Sequence, residues 1–360
     1  MTPGAPNAGT GAATVLAAHL AEATKGGERR LGVALIGLGR YSRGELGPAL
    51  QQTNLCRLAG VVTGAREKGA DWSRQYGFPE RNVWNYDAVA EIAGRPDIDV
   101  IYVATPNGLH AEHVVAAAAA GKHVICEKPM ASTVAECDAM LAACDRAGVK
   151  LSIGYRLQFD PYHQELERLA REHDFGPLTR LSGELSWTFR TRAWRIERSL
   201  SGGGPLMDIG IYVIQAACRA ARALPVAVVA HELPKTNPAL FNEVEEAIEW
   251  TMEFPGGVTC QGVASYTENR DHFRAEGDRG WFQMGPAFAY RGLQASTPRG
   301  GLHYPPVSQQ ALQMDDFAAC ILVGRESPVP GTMGRDHQEI LAAVYASAAA
   351  GGRRTLVKRA

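Results

Sequence analysis

The run LGVALIG at residues 31–37, continuing into LGRYS, constrains this chain more than any other feature. Its unbroken apolar stretch, with no polar alternation, is the pattern of a strand buried on both faces. Gly37 and Gly39 then let the backbone turn sharply into a helix. A strand hidden on both faces needs helices on both sides, and the following residues supply them. RLAGVVTG (57–64), DVIYVATP (99–106), KHVICEKP (122–129) and KLSIGYR (150–156) repeat the apolar pattern. Helical patterns lie between them at 65–77, 109–121 and about 132–147. Strands and helices in this alternation imply a parallel sheet with right-handed crossovers.

After about Arg156 the texture changes. Helical patterns near 160–173 and 205–222 flank a strand around 178–187, and longer alternating segments follow, joined by turns such as Pro-Gly-Gly at 255–257. These predict a mostly antiparallel sheet with one face packed on helices and one open. Helices are expected near 308–323 and 334–350. At 360 residues the chain has room for two domains. We read a flexible arm over 1–30, a dinucleotide-binding domain over 31–155 and an α+β domain over 156–360. The fold class is α/β, a doubly wound parallel sheet followed by a large open antiparallel one.

A net charge of −1 offers no basic surface for nucleic acid, and no apolar run reaches the roughly 18 residues that span a bilayer. The seven cysteines are scattered and contain no C-x-x-C pair, which argues against a disulfide framework or a structural zinc. No metal is expected. Cys126 reads as a small buried hydrophobe. In the arm, Lys25, Arg29 and Arg30 follow the short apolar stretch instead of preceding it, unlike an export signal. A cytoplasmic location is therefore expected, with a periplasmic one kept open.

The turn GLGRYS (37–42) carries the first chemistry. Gly37 permits the tight turn, Gly39 lets a pyrophosphate approach the helix N-terminus, and Leu38, Arg40 and Tyr41 complete the turn. Ser42 stands where the dinucleotide fingerprint has Gly or Ala, so the match is partial. At the end of the second strand, Thr63 and Gly64 lead to Arg66 and Lys68, without the acid that takes the 2′-hydroxyl of NAD. Arg66, Lys68 and Arg40 suit a 2′-phosphate, hence NADP; the alternative is a solvated helix start. TPNGLH (105–110) follows a strand end where ligands collect, so Thr105, Pro106, Asn107 and His110 are cofactor candidates, with packing an equal reading for His110. CEKPM (126–130) puts Glu127 and Lys128 at the same edge, and Pro129 is a candidate cis residue that fixes the lysine.

GGGPLMDIGIY (202–212) spaces Asp208 and Tyr212 four residues apart. On a helix that places both on one face. Taken alone, the pair reads first as a buried phenol satisfied by a carboxylate.

Together, GLGRYS, TPNGLHAEHVVAAAAAGKHVICEKPMA, IGYR and WRIERSLSGGGPLMDIGIY resemble the glucose–fructose oxidoreductase/inositol dehydrogenase family, from about Leu31 to the C-terminus. Within it the chain looks most like the branch of the glucose–fructose and aldose–aldose oxidoreductases. The resemblance implies a Rossmann domain followed by an open-sheet domain that pairs with its twin in a homodimer. It implies a tightly held, non-covalent NADP and two sugars, one oxidised and one reduced. It puts the catalytic lysine at Lys128 and the catalytic aspartate at Asp208. Tyr212 stands where many members carry histidine, as in the sugar-oxidoreductase branch. Tyr86, Arg156, Arg195 and Tyr290 would line the cofactor, and the arm could fold over it.

Oxidising an aldose at C1 needs a base for the anomeric hydroxyl proton. A phenol, with a free pKa of about 10, needs a neighbouring cation to serve. Tyr212 is the expected acceptor, Lys128 the orienting cation and Asp208 the holder of a sugar hydroxyl, with the roles of Tyr212 and Lys128 exchangeable. Lys128, Arg156, Trp194, Asp208 and Tyr212 are the expected sugar contacts. TFRTRAWR (188–195), Tyr266, Tyr290 and His303–Tyr304 are weaker ones. Two other readings remain at this stage: a dehydrogenase that exchanges NADP at each turnover, and a non-enzymatic dinucleotide sensor.

Overall fold

The computed structural model describes residues 29–358. Residues 1–28 of the arm, read as a flap over the cofactor, lie outside that range; at its end Arg29 pairs with Asp99 and Arg30 donates to the Thr53 carbonyl.

Six parallel strands form the first sheet: β1 (Leu31–Ile36), β2 (Cys56–Val62), β3 (Val83–Trp84), β4 (Val100–Val103), β5 (His123–Cys126) and β6 (Leu151–Ile153), in the order β3-β2-β1-β4-β5-β6. This is the Rossmann order, with its topological switch between β1 and β4, so the carboxyl ends of those strands open a crevice. The linking helices are α1 (Arg66–Tyr76), α2 (His110–Ala119) and α3 (Val134–Ala147). Thr133 and Glu136 form a capping box that starts α3, which is why it begins two residues after the expected Ser132. Strand β3 is only two residues long, too short to show a periodicity, and it escaped the sequence reading.

The remainder builds α4 (Pro161–Arg171), β7 (Leu178–Ser186), α5 (Ile211–Ala221), β8 (Ala227–Glu232), β9 (Ala247–Glu253), β10 (Thr259–Ser265), β11 (Arg270–Gly277) and β12 (Gly280–Met284). Short strands β13 (Ala295–Thr297) and β14 (Gly300–Leu302), helices α6 (Gln309–Leu322) and α7 (Gly331–Ala349), and β15 (Thr355–Leu356) follow. The nine strands run β14-β13-β12-β11-β7-β10-β9-β8-β15, and only β7 and β10 pair in parallel. Odd positions of β7 and even positions of β10 face the helices: Leu181, Gly183 and Ala264 are buried there. The opposite face carries Arg180, Glu184, Gln261 and His272, exposed or half-buried.

One helix crosses the sequence boundary. Met314, Phe317 and Ala318 of α6 join the core against Val33, Leu35 and Tyr102 of the first sheet. The Asp315 carboxylate accepts the Leu55 backbone N–H at 2.8 Å. The Rossmann core is thus completed by residues from the far end of the chain.

Candidate active site

The glycine turn leaves β1 as expected. Gly37 has φ +91°, and a Cβ there would stand 2.7 Å from the Ala104 carbonyl oxygen, so no side chain fits. Gly39 faces no atom within 4 Å, which leaves the space a pyrophosphate would need. Ser42 donates its hydroxyl to the Gly37 carbonyl, which accounts for the departure from Gly or Ala. Where an α-helix was expected, residues Ser42–Leu46 form a wider π-turn and Gly47–Leu50 a single α-turn. Leu38 is buried under the turn.

The wall beside it is continuous. Thr63 is buried at the end of β2, and the Tyr86 ring stands against Gly64 and 5.4 Å from the His113 ring. The Thr105 hydroxyl meets His113 Nδ1 at 3.1 Å. Arg40 and Arg66 are exposed, and Lys68 is half-buried. Burial and the nearby Arg43 lower the Lys68 pKa from its ordinary value. Arg43 is a cation at this corner that the sequence reading passed over, because it sits in the turn instead of at the strand end. His110 is buried, with Nδ1 3.0 Å from the Pro129 carbonyl and Nε2 2.9 Å from the Thr105 carbonyl. It braces two strand-end loops from behind. Asn107, following the half-buried Pro106, donates its side-chain amide to the Ser201 carbonyl at 2.8 Å. That bond ties the cofactor crevice to the second half of the chain.

Lys128 follows β5 and precedes a cis peptide to Pro129. Its Nζ donates to the Asp208 carbonyl oxygen at 2.8 Å and lies 4.4 Å from the centre of the Tyr212 ring. Arg156 approaches the same ring at 5.1 Å and the Tyr290 ring at 4.2 Å. Burial opposes the Arg156 charge, yet the Tyr212, Tyr290 and Tyr41 phenols hold its pKa above the usual guanidinium value. Arg156 donates to the Phe288 carbonyl and to Gln309, and its buried Nε has no partner among the described residues. Tyr290 in turn stacks on Tyr41 at 5.8 Å. Glu127 is buried, accepts the Tyr102 hydroxyl at 2.7 Å, and has its carboxyl pKa raised by burial against the pull of Lys128.

Asp208 and Tyr212 do not share a regular helix face. Leu206–Gly210 is a π-turn, and α5 begins only at Ile211. Glu245 reaches in to accept the Gly204 and Leu206 N–H groups at 3.0 and 3.2 Å, and a Cβ on Gly204 would strike the Glu245 carbonyl at 2.3 Å. Gly204 is there to let that chain pass, whereas a Cβ on Gly203 would meet the Tyr345 hydroxyl at 2.0 Å. The widened turn sends the two side chains to different partners. Tyr212 points among Lys128, Arg156 and Phe288. Asp208 Oδ2 accepts Arg195 Nε at 3.0 Å and the Tyr266 hydroxyl at 2.9 Å. Among the described residues nothing bonds its Oδ1, and no hydrogen bond joins Asp208 to Tyr212. The simple phenol–carboxylate core pair is thereby excluded.

Other candidates lie apart. Tyr304 packs edge-on to Tyr162 at 4.9 Å, on α4. Arg192 pairs with Glu243, and Arg190 is exposed. Of the arginines in 188–195 only Arg195 joins the cluster, with its guanidinium 4.5 Å from the Trp194 ring. All seven cysteines are buried and unpaired, Cys126 among them.

Comparison with known proteins identifies the family. Residues 31–155 match a family described as an oxidoreductase family with an NAD-binding Rossmann fold, and residues 163–283 match the GFO/IDH/MocA C-terminal domain. A solved aldose–aldose oxidoreductase from Caulobacter crescentus is 39% identical, with a TM-score of 0.89 over 91% of this chain and all of its own. The chain belongs to the GFO/IDH/MocA family. Within this family it is 28% identical over 323 residues to a D-xylose 1-dehydrogenase [NADP(+)] of Haloarcula marismortui, covering 87% of this chain and 89% of that protein. It is 32% identical over 157 residues to a 1,5-anhydro-D-fructose reductase of Ensifer adhaerens, 43% and 46% of the two chains. As a GFO/IDH/MocA member this chain is an oxidoreductase, and its N-terminal sheet has the NAD-binding Rossmann fold. No helix among the described residues is long and apolar enough to cross a membrane.

Proposed function

We propose that this chain oxidises aldoses at C1 with NADP and passes the reducing equivalents to a second sugar without releasing the nucleotide. The observation that carries the reading is the contrast between two tyrosines. Tyr212 stands between two cations, Lys128 and Arg156. Tyr266 faces a carboxylate, and burial together with Asp208 raises its pKa well above that of a free phenol. One phenol is placed to lose a proton and the other to keep it.

NADP fits the crevice: the open flank of Gly39 admits its pyrophosphate, and Lys68, Arg43, Arg40 and Arg66 are the cations for its 2′-phosphate. When bound, it supplies a hydride acceptor that takes no proton. Tyr212 takes the anomeric hydroxyl proton, Lys128 orients the phenol, and the unbonded Oδ1 of Asp208 accepts a sugar hydroxyl. Tyr41, Tyr86, Thr105, Arg156 and Tyr290 line the cofactor side. The polar outer face of the nine-stranded sheet is the proposed homodimer surface.

The likeness to an aldose–aldose oxidoreductase favours a retained cofactor, and the likeness to a D-xylose 1-dehydrogenase favours an exchanged one. Denaturing freshly purified protein and assaying released NADP(H) separates the two. About one nucleotide per chain supports retention, and empty protein overturns it in favour of exchange. Replacing Tyr212 by Phe is expected to lower turnover about 10³-fold with NADP binding intact; unchanged turnover rejects Tyr212 as the base.

A further inference from the structure

We infer that the cleft between the C-terminal end of α5 and the start of α7 is a second binding site, built for a small sugar carboxylate such as an aldonate. The choice of an aldonate rests on the proposed oxidation at C1, because the lactone formed there takes up water to give that anion. The cleft itself stands without that reading.

The cleft has a volume of about 390 Å³ and shares no residue with the aldose site. Glu167 of α4, Arg219 and Arg222 at the end of α5, and Asp336 and His337 of α7 give it a polar lining, and Leu224 gives it apolar surface. Tyr212 precedes Arg222 by ten residues, so the two sites lie about 15 Å apart along α5, at its opposite ends.

The charges in this cleft are incompletely paired. The Arg219 side chain is only 9% exposed, and among the described residues its one hydrogen bond goes to Glu167. The other N–H groups of its fork are unused. Burial lowers the Arg219 pKa from the ordinary guanidinium value in spite of that carboxylate. Arg222 is exposed at the rim, and among the described residues its side chain makes no hydrogen bond or ion pair. Neither does that of Asp336, whose carboxyl pKa burial raises. Its sequence neighbour Arg335 is taken by Asp138 and Glu339. The buried His337, with its pKa lowered to about 4, is neutral and adds no further charge.

A guanidinium and a carboxylate thus line one cleft without bonding each other, beside a second guanidinium with donors to spare. A ligand that completes all three carries an anionic, planar group at one end and hydroxyl donors at the other. Guanidinium forks take a carboxylate through two parallel hydrogen bonds, and Asp336 accepts from hydroxyls. A sugar carboxylate has both ends. A neutral sugar lacks the anion, and inorganic phosphate lacks the chain that reaches Asp336.

Isothermal titration of the full-length, NADP-bound protein with D-gluconate tests the site. The wild type should bind with a Kd below about 1 mM. Saturating 1,5-anhydro-D-glucitol, a glucose analogue with no anomeric hydroxyl to oxidise, should change that affinity less than about two-fold. Arg222→Gly should weaken gluconate at least about ten-fold. Arg222 has φ +50°, where glycine is unstrained, so this variant should melt no lower than the wild type and bind NADP as before. Asp336→Ala should weaken gluconate several-fold. Absence of gluconate binding at millimolar concentration, displacement by the glucitol, or unchanged affinity in Arg222→Gly would overturn the site. Phosphate or L-serine bound as tightly as gluconate, with the same dependence on Arg222, would overturn the ligand class. Arg222-dependent gluconate binding in a protein that oxidises no aldose would keep the site and reject the proposed reaction. Aldose oxidation without gluconate binding would reject the site alone.

Discussion

The Lys128 ammonium is bonded to the backbone carbonyl of Asp208 at 2.8 Å, so a lysine at the end of the first sheet anchors the turn that carries Asp208 and leads into the helix of Tyr212. One side chain therefore sets both the electrostatics around Tyr212 and the placement of Asp208. Lys128→Met is expected to lower kcat about 10³-fold. NADP affinity, measured by fluorescence titration, should change far less. A loss confined to NADP affinity would mean that Lys128 serves the cofactor alone.

Tyr266 acts through Asp208. Tyr266→Phe removes one of the two donors on Oδ2 and leaves Arg195 in place. Stability measured by urea unfolding should fall by about 1.5–3 kcal/mol, the range for a hydrogen bond to a charged group. The sugar KM should rise more than kcat falls, because the carboxylate is less well aimed. A variant with both constants unchanged would show that Arg195 alone positions Asp208.

The two fingerprint glycines should fail in different ways. Gly37→Ala forces a Cβ to 2.7 Å from the Ala104 carbonyl at φ +91°, so unfolding should become easier by roughly 3 kcal/mol. Gly39→Ala meets open space and should leave the melting temperature of the nucleotide-free protein nearly unchanged. It should nevertheless weaken NADP binding, because the methyl group occupies the approach of the pyrophosphate. Differential scanning fluorimetry with and without NADP reads both.

Removing Arg43 and Lys68 together should weaken NADP binding by about 10- to 100-fold and NAD binding by no more than a few-fold. The NADP affinity of the wild type should also fall more steeply with salt than that of the double variant. Parallel losses for both nucleotides would place the 2′-phosphate elsewhere.

Acid should destabilise the fold through its buried imidazoles. Burial lowers His110 and His337 to about 4 and His163 to about 3. Above about pH 7.5 these rings are neutral in both folded and unfolded chains and contribute no pH dependence. As the pH falls from 6.5 toward 4, the unfolded chain takes up protons that the folded chain excludes, so stability decreases, on the order of 3 kcal/mol per ring. Urea midpoints at pH 7, 5.5 and 4.5 measure the slope, and His337→Asn should flatten it.

Much of the framework was legible in the residues because it rests on local rules. The apolar runs marked every strand of the first sheet except the two-residue β3. Gly37 marked a turn where no Cβ fits, whereas the capping pair Thr133–Glu136 moved the start of α3 two residues past the expected one. The glutamate–lysine–proline stretch placed Lys128 at a strand end, since strand ends are where a parallel sheet presents side chains to a ligand.

The site itself was only half legible. Sequence spacing put Asp208 and Tyr212 on one helix face, whereas Glu245, arriving from just before β9, caps a π-turn that sends them apart. Arg195 and Tyr266 flank Asp208 from elements separated by 71 positions in the chain, and Gln309 of α6 bonds Arg156 from 153 positions away. By itself the sequence determined the alternation of strands and helices in the first sheet and the glycine turn, because periodicity and glycine stereochemistry act within a few residues; Lys128, Asp208 and Tyr212 stood out as candidates from their motifs. Which phenol stands among cations and which against a carboxylate was decided by tertiary structure alone, because that choice depends on charges brought together by packing across the cleft.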